Sequence, residues 1–363
     1  MKLYLLKFIF LQAYVLSSFL LFGQYQFSLP EETSYAGKAS TVIGDSYVRL
    51  VKDLKKNSSY IEYYNLKSGK LTKRVTLPNS IGASSFTVDN EGGFWVFDED
   101  SLRFLHIVKD EVKYTVRQDV LTATPVDGYG NYFAFLDFSP LVYYKGRIYV
   151  VNAIARNYEV KLGDLTKRGF INVFTPKYGS LKYAAKIPSS LLTNNYGYHG
   201  RFSTALNGNK IIIAPQYSNE IMIYDLDKET LTAVQGATKN KYSQIVEPID
   251  LKQLDKKPEE LSRQQAHALS LKHYSENNNY IAILYDQQRK RYYRLLQEKV
   301  PSQAYALTVV VLDDKFNYVT HKDLGSKYKF DGAFVAKEGL QLLNYQEYVK
   351  DNRKLTFDLI SFK

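Results

Sequence analysis

The residues with the clearest chemical potential form one short run, Tyr285-Asp-Gln-Gln-Arg-Lys-Arg-Tyr-Tyr-Arg294. The run lies between two strand-like stretches, so it is predicted to form a β-hairpin. A guanidinium group can bind a carboxylate, sulfate or phosphate through two parallel hydrogen bonds. The candidate ligand-binding residues are therefore Asp286, Arg289, Tyr292, Tyr293 and Arg294. The alternative, which we favour, is a structural hairpin in which arginines stack on tyrosines and Asp286 caps the turn.

Two of the five histidines are the better candidates for binding or acid–base chemistry. His199, in Asn194-Asn-Tyr-Gly-Tyr-His-Gly200, and His273, in Lys272-His-Tyr274, fall in predicted loops near the start of a set of strands. Ordinary partly buried histidines are the alternative. None of the five is spaced as a metal-binding pair within one element, so no metal or other cofactor is predicted.

Carboxylates give no positive signal for catalysis. A glycosidase needs one protonated and one ionised carboxyl group close together, and the candidates Asp137, Asp286 and Asp331 lie in different sets of predicted strands. Serine-nucleophile motifs, phosphate-binding glycine loops and dinucleotide fingerprints are missing. The sequence leans against an enzyme without deciding the question.

These residues must be positioned by a repeated hairpin unit, in which a tyrosine-rich strand, a short polar turn and a more polar strand follow one another. The clearest copies occupy 60–77 and 220–234. Recurring hairpins with little helical pattern between them predict a radially repeated all-β fold. Counting strands gives six sets, and hence a six-bladed β-propeller, with seven blades as the alternative.

The last set of strands is one strand short. Residues 332–336, 340–345 and 355–362 supply three strands, whereas 25–29 is a strand with no partner of its own. Pairing this N-terminal strand with the last one would close the ring and remove two exposed sheet edges. The prediction is a single propeller domain over 24–363, closed by its N-terminal strand.

Three long segments interrupt the repeat, and binding residues often lie on such loops. They are 119–137, 155–168 and 240–272. The last contains 258–269, the only credible helix after residue 23, with Pro258 at its start and acidic residues in its first turn. About 30 residues cannot bury an independent core. The segment 240–272 is therefore predicted to be a partly helical insertion.

Residues 1–23 have the features of a secretory signal peptide. Lys2 and Lys7 precede an almost uncharged stretch, 8–22, that ends before Gly23. A retained membrane anchor is the alternative, but a spanning helix needs about 20 apolar residues. The chain has no cysteine, which excludes disulfides and a lipid attached at the cleavage point. A periplasmic or secreted protein, without a transmembrane anchor after cleavage, is predicted.

The charge of the chain gives little information about partners. The net charge of +11 falls by two, to +9, when Lys2 and Lys7 leave with the signal peptide. This surplus suits solubility, and no motif of a nucleic-acid-binding module is present. Nucleic acid is therefore not an expected partner. We expect a monomer that recognises a peptide, a glycan or an envelope protein.

Three stretches are distinctive: the Tyr-Asp, Arg and Tyr-Tyr-Arg hairpin in 280–294, the stretch 218–226 followed by 240–242, and 339–343 followed by 355–359. They resemble one family of exported Gram-negative bacterial proteins, domain of unknown function 4221. The resemblance covers essentially the whole chain after residue 23. It implies a six-bladed β-propeller and brings no accepted activity, so no catalytic residue is transferred. Many members resemble lipoproteins, and the missing cysteine favours a soluble form here.

Two functional hypotheses follow. The first is a binding or scaffold protein, which requires an aromatic or arginine-lined rim. The second is an enzyme acting on a carbohydrate or lactone at the mouth of the propeller channel. The enzyme requires at least two titratable groups to meet in one pocket; the candidates are Asp137, His199, His273, Asp286 and Asp331. A purely structural envelope role is a third possibility that no residue distinguishes.

Overall fold

The chain folds as a β-propeller with six blades. The computed structural model describes residues 24–31, 37, 39–53, 56, 58–78, 82–98, 100–101, 103–117, 140–152, 169–178, 180–187, 194, 196–236, 242, 246–249, 262–300 and 303–362. Within these residues, 24 strands form six antiparallel sheets of four strands each, the blades of one ring. The prediction of an all-β, six-bladed propeller is confirmed, and the seven-bladed alternative is not supported.

Each blade takes four strands that are consecutive in the chain, except that the first strand joins the last blade. The first strand is β1 (Gln24–Ser28). Blade 1 contains β2 (Ala39–Ile43), β3 (Ser46–Asp53), β4 (Ser58–Asn65) and β5 (Leu71–Thr76); blade 2 contains β6 (Ala83–Val88), β7 (Phe94–Asp98), β8 (Arg103–Val108) and β9 (Glu111–Arg117). Blade 3 contains β10 (Val142–Tyr144), β11 (Arg147–Val151), β12 (Gly169–Thr175) and β13 (Ser180–Lys186).

The second half of the ring follows the same pattern. Blade 4 contains β14 (Phe202–Asn207), β15 (Lys210–Pro215), β16 (Glu220–Asp225) and β17 (Thr230–Gln235). Blade 5 contains β18 (Asn279–Asp286), β19 (Arg291–Val300), β20 (Gln303–Asp313) and β21 (Tyr318–Gly325). Blade 6 contains β22 (Tyr328–Ala336), β23 (Gly339–Asn344), β24 (Lys354–Leu359) and β1.

The strands are apolar on both faces because each blade packs between two neighbours. On β3, Val48 and Leu50 are fully buried in a cluster with Phe86 of blade 2. Tyr47, which precedes Val48 and points to the opposite face, packs against Phe334 of blade 6 at a ring-centroid distance of 4.8 Å. Successive side chains of a strand point to opposite faces, so a strand with two packed faces reads as a continuous apolar run.

The ring is closed by β1, which pairs antiparallel with β24 from Gln24 opposite Asp358 to Ser28 opposite Lys354. The predicted closing strand, 25–29, thus differs from β1 by one residue at each end. Leu29 lies just beyond the strand, and its backbone N–H donates to the carbonyl of Arg353 at 2.7 Å. The chain's first described strand therefore holds its last one, as the strand count predicts.

The two ends of the propeller differ in how the strands are connected. In a four-stranded meander the first and third turns lie at one end, and the second turn and the link to the next blade lie at the other. We call these ends the hairpin face and the loop face. The predicted segments 119–137 and 155–168 fall outside the described residues, as do 1–23. The predicted insertion 240–272 is described in part.

Two α-helices occur among the described residues, and both connect strands at the loop face. Helix α1 (Arg263–Glu276) starts five residues after the predicted start at Pro258 because Ser262 caps it. The Ser262 hydroxyl accepts from the Gln265 backbone N–H, and the Gln265 side chain accepts from the Ser262 N–H. Helix α2 (Tyr345–Lys350) was not predicted; the Asn344 side chain caps its first turn. Neither described helix has the length and apolar composition needed to cross a bilayer.

Candidate functional site

The hairpin 285–294 connects β18 to β19 at the hairpin face, and Asp286 organises its turn. This carboxylate is 1% exposed. It accepts hydrogen bonds from the backbone N–H groups of Gln288 and Arg289, at 3.1 and 3.0 Å, and from the Tyr293 hydroxyl at 3.0 Å. Asp286 is thus the cap of the turn, which is the structural role that the sequence favours.

Arg289 joins the blade 5 hairpin to the β22–β23 turn of blade 6. Its guanidinium donates to Asp286 Oδ2 at 3.1 Å and to the backbone carbonyls of Lys337 and Glu338 at 3.2 and 2.6 Å. The positive charge is therefore already balanced by Asp286 and directed to the neighbouring turn. Arg289 fixes the relative position of two turns at the hairpin face.

The other three predicted residues of the run lie between blades. Tyr292 is 1% exposed and faces blade 4, where Asn207 Nδ2 donates to its hydroxyl at 2.6 Å. Burial raises the pKa of Tyr292 to about 12. Tyr293 faces blade 6, in a cluster with Leu340. Arg294 is fully buried against blade 4. The run thus contributes one turn to the surface and three side chains to the interior.

A groove opens on the hairpin face beside this turn. It encloses about 820 Å³ and is lined by 24–25, 42, 44–45, 66–67, 285–288 and 335–338. These residues come from blades 5, 6 and 1 and from the start of β1. We call it the hairpin-face groove. Its size matches small-molecule and oligomer sites in proteins, which occupy about 300–1,000 Å³.

The hairpin-face groove is lined by aromatic rings, amides and a balanced set of charges. Tyr25 and Tyr285 supply the rings, and the amides belong to Gln24, Gln287 and Gln288. The Tyr25 hydroxyl donates to Glu338, and partial burial together with this contact raises the pKa of Tyr25. The acidic and basic lining residues are Asp45, Asp286, Glu338, Lys67 and Lys337. The groove can therefore stack against apolar rings or faces and bond to neutral polar groups.

The two predicted histidines meet at the loop face. His199 lies in a 3-10 turn, Gly197–His199, against which α1 packs. Its ring centroid is 5.2 Å from that of His273 and 4.8 Å from that of Tyr274. Gly197 permits the approach of α1, because a Cβ there would lie 3.2 Å from Ser270 Oγ on α1 and its φ is +54°. We call His199, His273 and Tyr274 the histidine cluster.

Both imidazoles of the histidine cluster favour the neutral form. Burial, and next the nearby His273, lower the pKa of His199 to about 4. Burial also lowers the pKa of His273, whose Nε2–H donates to the carbonyl of Glu247 at 2.9 Å. No hydrogen bond of standard geometry joins a ring nitrogen of His199 to the described residues, although the ring lies beside the His273 backbone. His199 thus has the unprotonated nitrogen that a base or a hydrogen-bond acceptor requires.

The low pKa of His199 makes stability depend on pH. The unfolded chain takes up a proton near pH 6.5, whereas the folded protein does so only near pH 4. Acidification therefore favours the unfolded state, and we expect His199 to lower the free energy of unfolding by about 2 kcal/mol between pH 7 and pH 5. Urea unfolding of the wild type and of His199→Gln at both pH values measures this. Groups common to both proteins cancel in the difference, so equal pH dependence in the two proteins would contradict the assignment.

The titratable groups that an enzyme would need are spread over the propeller. His199 and His273 meet at the loop face, whereas Asp286 lies at the hairpin face. Asp331 lies on β22 of blade 6, where burial raises its pKa. Asp137 falls outside the described residues. In the described part of the chain, no group of three or more histidine, aspartate and glutamate side chains is placed to hold a metal ion.

Sequence reasoning missed most of the hairpin-face groove. Tyr25, Asp45 and Glu338 belong to three different segments, and only the pairing of β1 with β24 brings Tyr25 to the β22–β23 turn. The predicted ring closure implied this position of Tyr25, because it placed the start of the N-terminal strand beside the last blade. The turn residues 285–288 were the part of the groove that the sequence did indicate.

Comparison with solved structures finds chains that are similar to this one. A crystal structure of a DUF4221 family member from Bacteroides vulgatus is 17% identical and superposes with a TM-score of 0.71 over 94% of this chain and 96% of that one. Virginiamycin B lyase from Staphylococcus aureus is 11% identical, with a TM-score of 0.44 over 93% and 99% of the two chains. A protein from Lactobacillus plantarum is also 11% identical, with a TM-score of 0.44 over 89% of each chain.

No curated protein matches the sequence. The family model described as "Domain of unknown function (DUF4221)" matches residues 26–322, which is most of the chain. The chain therefore belongs to the DUF4221 family.

Proposed function

We propose that this protein is an exported binding protein that holds a short neutral glycan in the hairpin-face groove. The observation that carries the proposal is the lining of the groove. It combines two tyrosine rings, Tyr25 and Tyr285, with three glutamine amides, Gln24, Gln287 and Gln288, in about 820 Å³. Export rests on the predicted signal peptide in residues 1–23.

The charges of the groove favour an uncharged ligand. Three acidic residues and two lysines line it, and Arg289 binds the buried Asp286 from behind the turn. A site for an acidic or basic polymer would present an excess of the opposite charge. Amide side chains both donate and accept hydrogen bonds, which suits sugar hydroxyls, and aromatic rings offer a flat apolar surface to the C–H faces of a sugar.

The groove is also preformed, which lowers the cost of binding. Arg289 fastens the blade 5 turn to the blade 6 turn through the carbonyls of Lys337 and Glu338. Tyr25 joins the start of β1 to the same turn through Glu338. Three lining segments are thus held in place by side chains that do not depend on a ligand. A site held in its bound shape loses less conformational entropy on binding.

The test is a binding screen of the chain from Gln24 onward, which contains all six sheets, by isothermal titration calorimetry. The panel contains neutral oligosaccharides, uronic-acid oligosaccharides and peptides. We expect a neutral oligosaccharide to bind. The double variant Gln287→Ala/Gln288→Ala should weaken that binding by about tenfold or more, because two hydrogen bonds contribute roughly 0.5–1.5 kcal/mol each.

The matched control is Gln346→Ala, which removes an exposed amide on α2 at the loop face. It should leave the affinity unchanged, and all three proteins should have equal melting temperatures. Binding of peptides alone would contradict the glycan assignment. A glycan affinity that is insensitive to Gln287 and Gln288 would place the ligand outside the hairpin-face groove.

One observation favours a second candidate, an enzyme acting on a carbohydrate or lactone. The histidine cluster supplies a neutral imidazole, His199, 5.2 Å from a second one. The His199 imidazole is unprotonated at neutral pH, as a general base must be, and it is fully buried. If this candidate is correct, the wild type converts a carbohydrate or lactone substrate and the His199→Gln variant does not. Glycan binding in the hairpin-face groove should be the same in both proteins.

A further inference from the structure

A tyrosine and an arginine occupy the same register in the second strand of two blades. On β3 these are Tyr47 and Arg49, the second and fourth residues of the strand; on β19 they are Tyr292 and Arg294, again second and fourth. Both arginines are fully buried. Both pairs face the preceding blade: Tyr47 donates to the Gly332 carbonyl of blade 6, and Arg294 donates to the Pro215 carbonyl of blade 4.

In blade 1 the buried cation has a carboxylate directly opposite. Arg49 pairs in register with Glu62 on β4. The Nε and Nη2 groups of Arg49 both donate to Glu62 Oε2 at 3.0 Å. The Glu62 side chain has no solvent exposure. Charge and hydrogen bonds are therefore satisfied within the blade, as a buried ion requires.

In blade 5 the residue opposite the buried cation is apolar. Arg294 pairs in register with Val310 on β20. Its Nη2 donates to the Pro215 carbonyl at 2.8 Å, and its guanidinium carbon lies 3.7 Å from the centre of the Tyr280 ring. Its Nε and Nη1 find no acceptor, and no carboxylate forms an ion pair with it, among the described residues.

Two further buried polar side chains lie next in sequence to Pro215 and Tyr280, the two residues that contact Arg294. Gln216, next to Pro215, is 4% exposed, and its Oε1 also has no hydrogen-bond partner in the described part of the chain. Asn279, at the start of β18, is fully buried, and its Oδ1 also has no hydrogen-bond partner in the described part of the chain. Burial lowers the pKa of Arg294 to about 10, so it stays charged at neutral pH. A buried cation without a counter-ion destabilises the folded protein.

We propose that Arg294 forms an anion site between blades 4 and 5, in which a small carboxylate from solution takes the place that the Glu62 carboxylate holds in blade 1. Arg294 Nε and Nη1 donate to the bound carboxylate, and the Tyr280 ring packs against the face of the guanidinium. The ligand is a small monocarboxylate, because the position lies inside the interface, where Arg294 and Val310 have no solvent exposure.

The test follows thermal unfolding of the chain from Gln24 onward at pH 7.5. Sodium acetate replaces sodium chloride at constant ionic strength, and acetate is the probe. We expect the melting temperature to rise by a few degrees, and to keep rising with the logarithm of the acetate concentration once acetate exceeds its Kd. Arg294→Met should abolish this response. Lys73→Met, which removes a half-exposed lysine, should keep it in full.

A second variant keeps the proposal testable if Arg294→Met does not fold. Val310→Glu places a carboxylate opposite Arg294, in the register that Glu62 holds opposite Arg49. We expect this variant to melt above the wild type in chloride and to show no further rise with acetate. Equal responses to acetate and chloride in the wild type would overturn the proposal. So would a Val310→Glu variant that is unfolded, or one that still responds to acetate.

Discussion

Phe27→Ala is expected to lower the free energy of unfolding by about 3–5 kcal/mol, the usual cost of truncating a buried phenylalanine. Phe27 lies on β1 and has no solvent exposure. Its ring contacts Tyr47 and Tyr64 of blade 1 at centroid distances of 5.0 and 5.4 Å, and Phe357 of blade 6 at 5.7 Å. The substitution would leave a cavity where the first strand, the last blade and the first blade meet. Urea denaturation measures the loss.

The neighbouring residue supplies the control. Gln26 is exposed on the same strand, and its Nε2 donates one long hydrogen bond, of 3.5 Å, to Thr356 Oγ1. Gln26→Ala should change the free energy of unfolding by less than about 0.5 kcal/mol, as most surface substitutions do. If Phe27→Ala costs no more than Gln26→Ala, β1 does not close the ring in solution.

Glu62→Gln is expected to cost about 3–5 kcal/mol, because it removes a charge from a buried ion pair. Glu62 accepts from Arg49, from the Tyr64 hydroxyl at 2.7 Å and from Arg74 Nη2 at 2.7 Å. The glutamine would leave the buried guanidinium of Arg49 without this carboxylate and cannot accept at both oxygen positions. Denaturant unfolding at neutral pH gives the difference.

An exposed ion pair between β5 and the β8–β9 turn of blade 2 separates the effect of burial from that of charge. Lys73 Nζ lies 3.6 Å from Asp110 Oδ1, and the two side chains are 50% and 54% exposed. Lys73→Ala should cost no more than about 1 kcal/mol, because water and salt screen the pair. The double variant Arg49→Met/Glu62→Leu should recover much of the loss, since a well-packed apolar pair can replace a buried ion pair. A single Glu62→Gln loss as small as that of Lys73→Ala would contradict the buried pair.

The sequence was most informative about the architecture. The strands are apolar on both faces, and polar turns such as 67–70 and 227–230 separate them, so the period and the breaks could both be counted. Closure followed from an imbalance: three strands at the end of the chain and one without a partner at the start. Pairing of β1 with β24 satisfies both edges at once.

The contacts that build the candidate sites could not be predicted from the local sequence pattern. Arg289 reaches the carbonyls of Lys337 and Glu338, 48 and 49 residues further along the chain. His199 meets His273 only because α1 docks on the 3-10 turn that contains His199. The sequence identified these residues by type and by predicted loop position, and the loop position was wrong for His273, which lies on α1. Their partners are set by the packing of one blade against the next, which has no short-range signature.

The most direct test of the proposed function is a crystal structure of the protein with the neutral oligosaccharide that binds most tightly. We expect a sugar ring to lie against Tyr25 or Tyr285, with a hydroxyl bonded to the side chain of Gln287 or Gln288, and the hairpin-face turns not to move. Ligand at the histidine cluster on the loop face, with the hairpin-face groove empty, would contradict it.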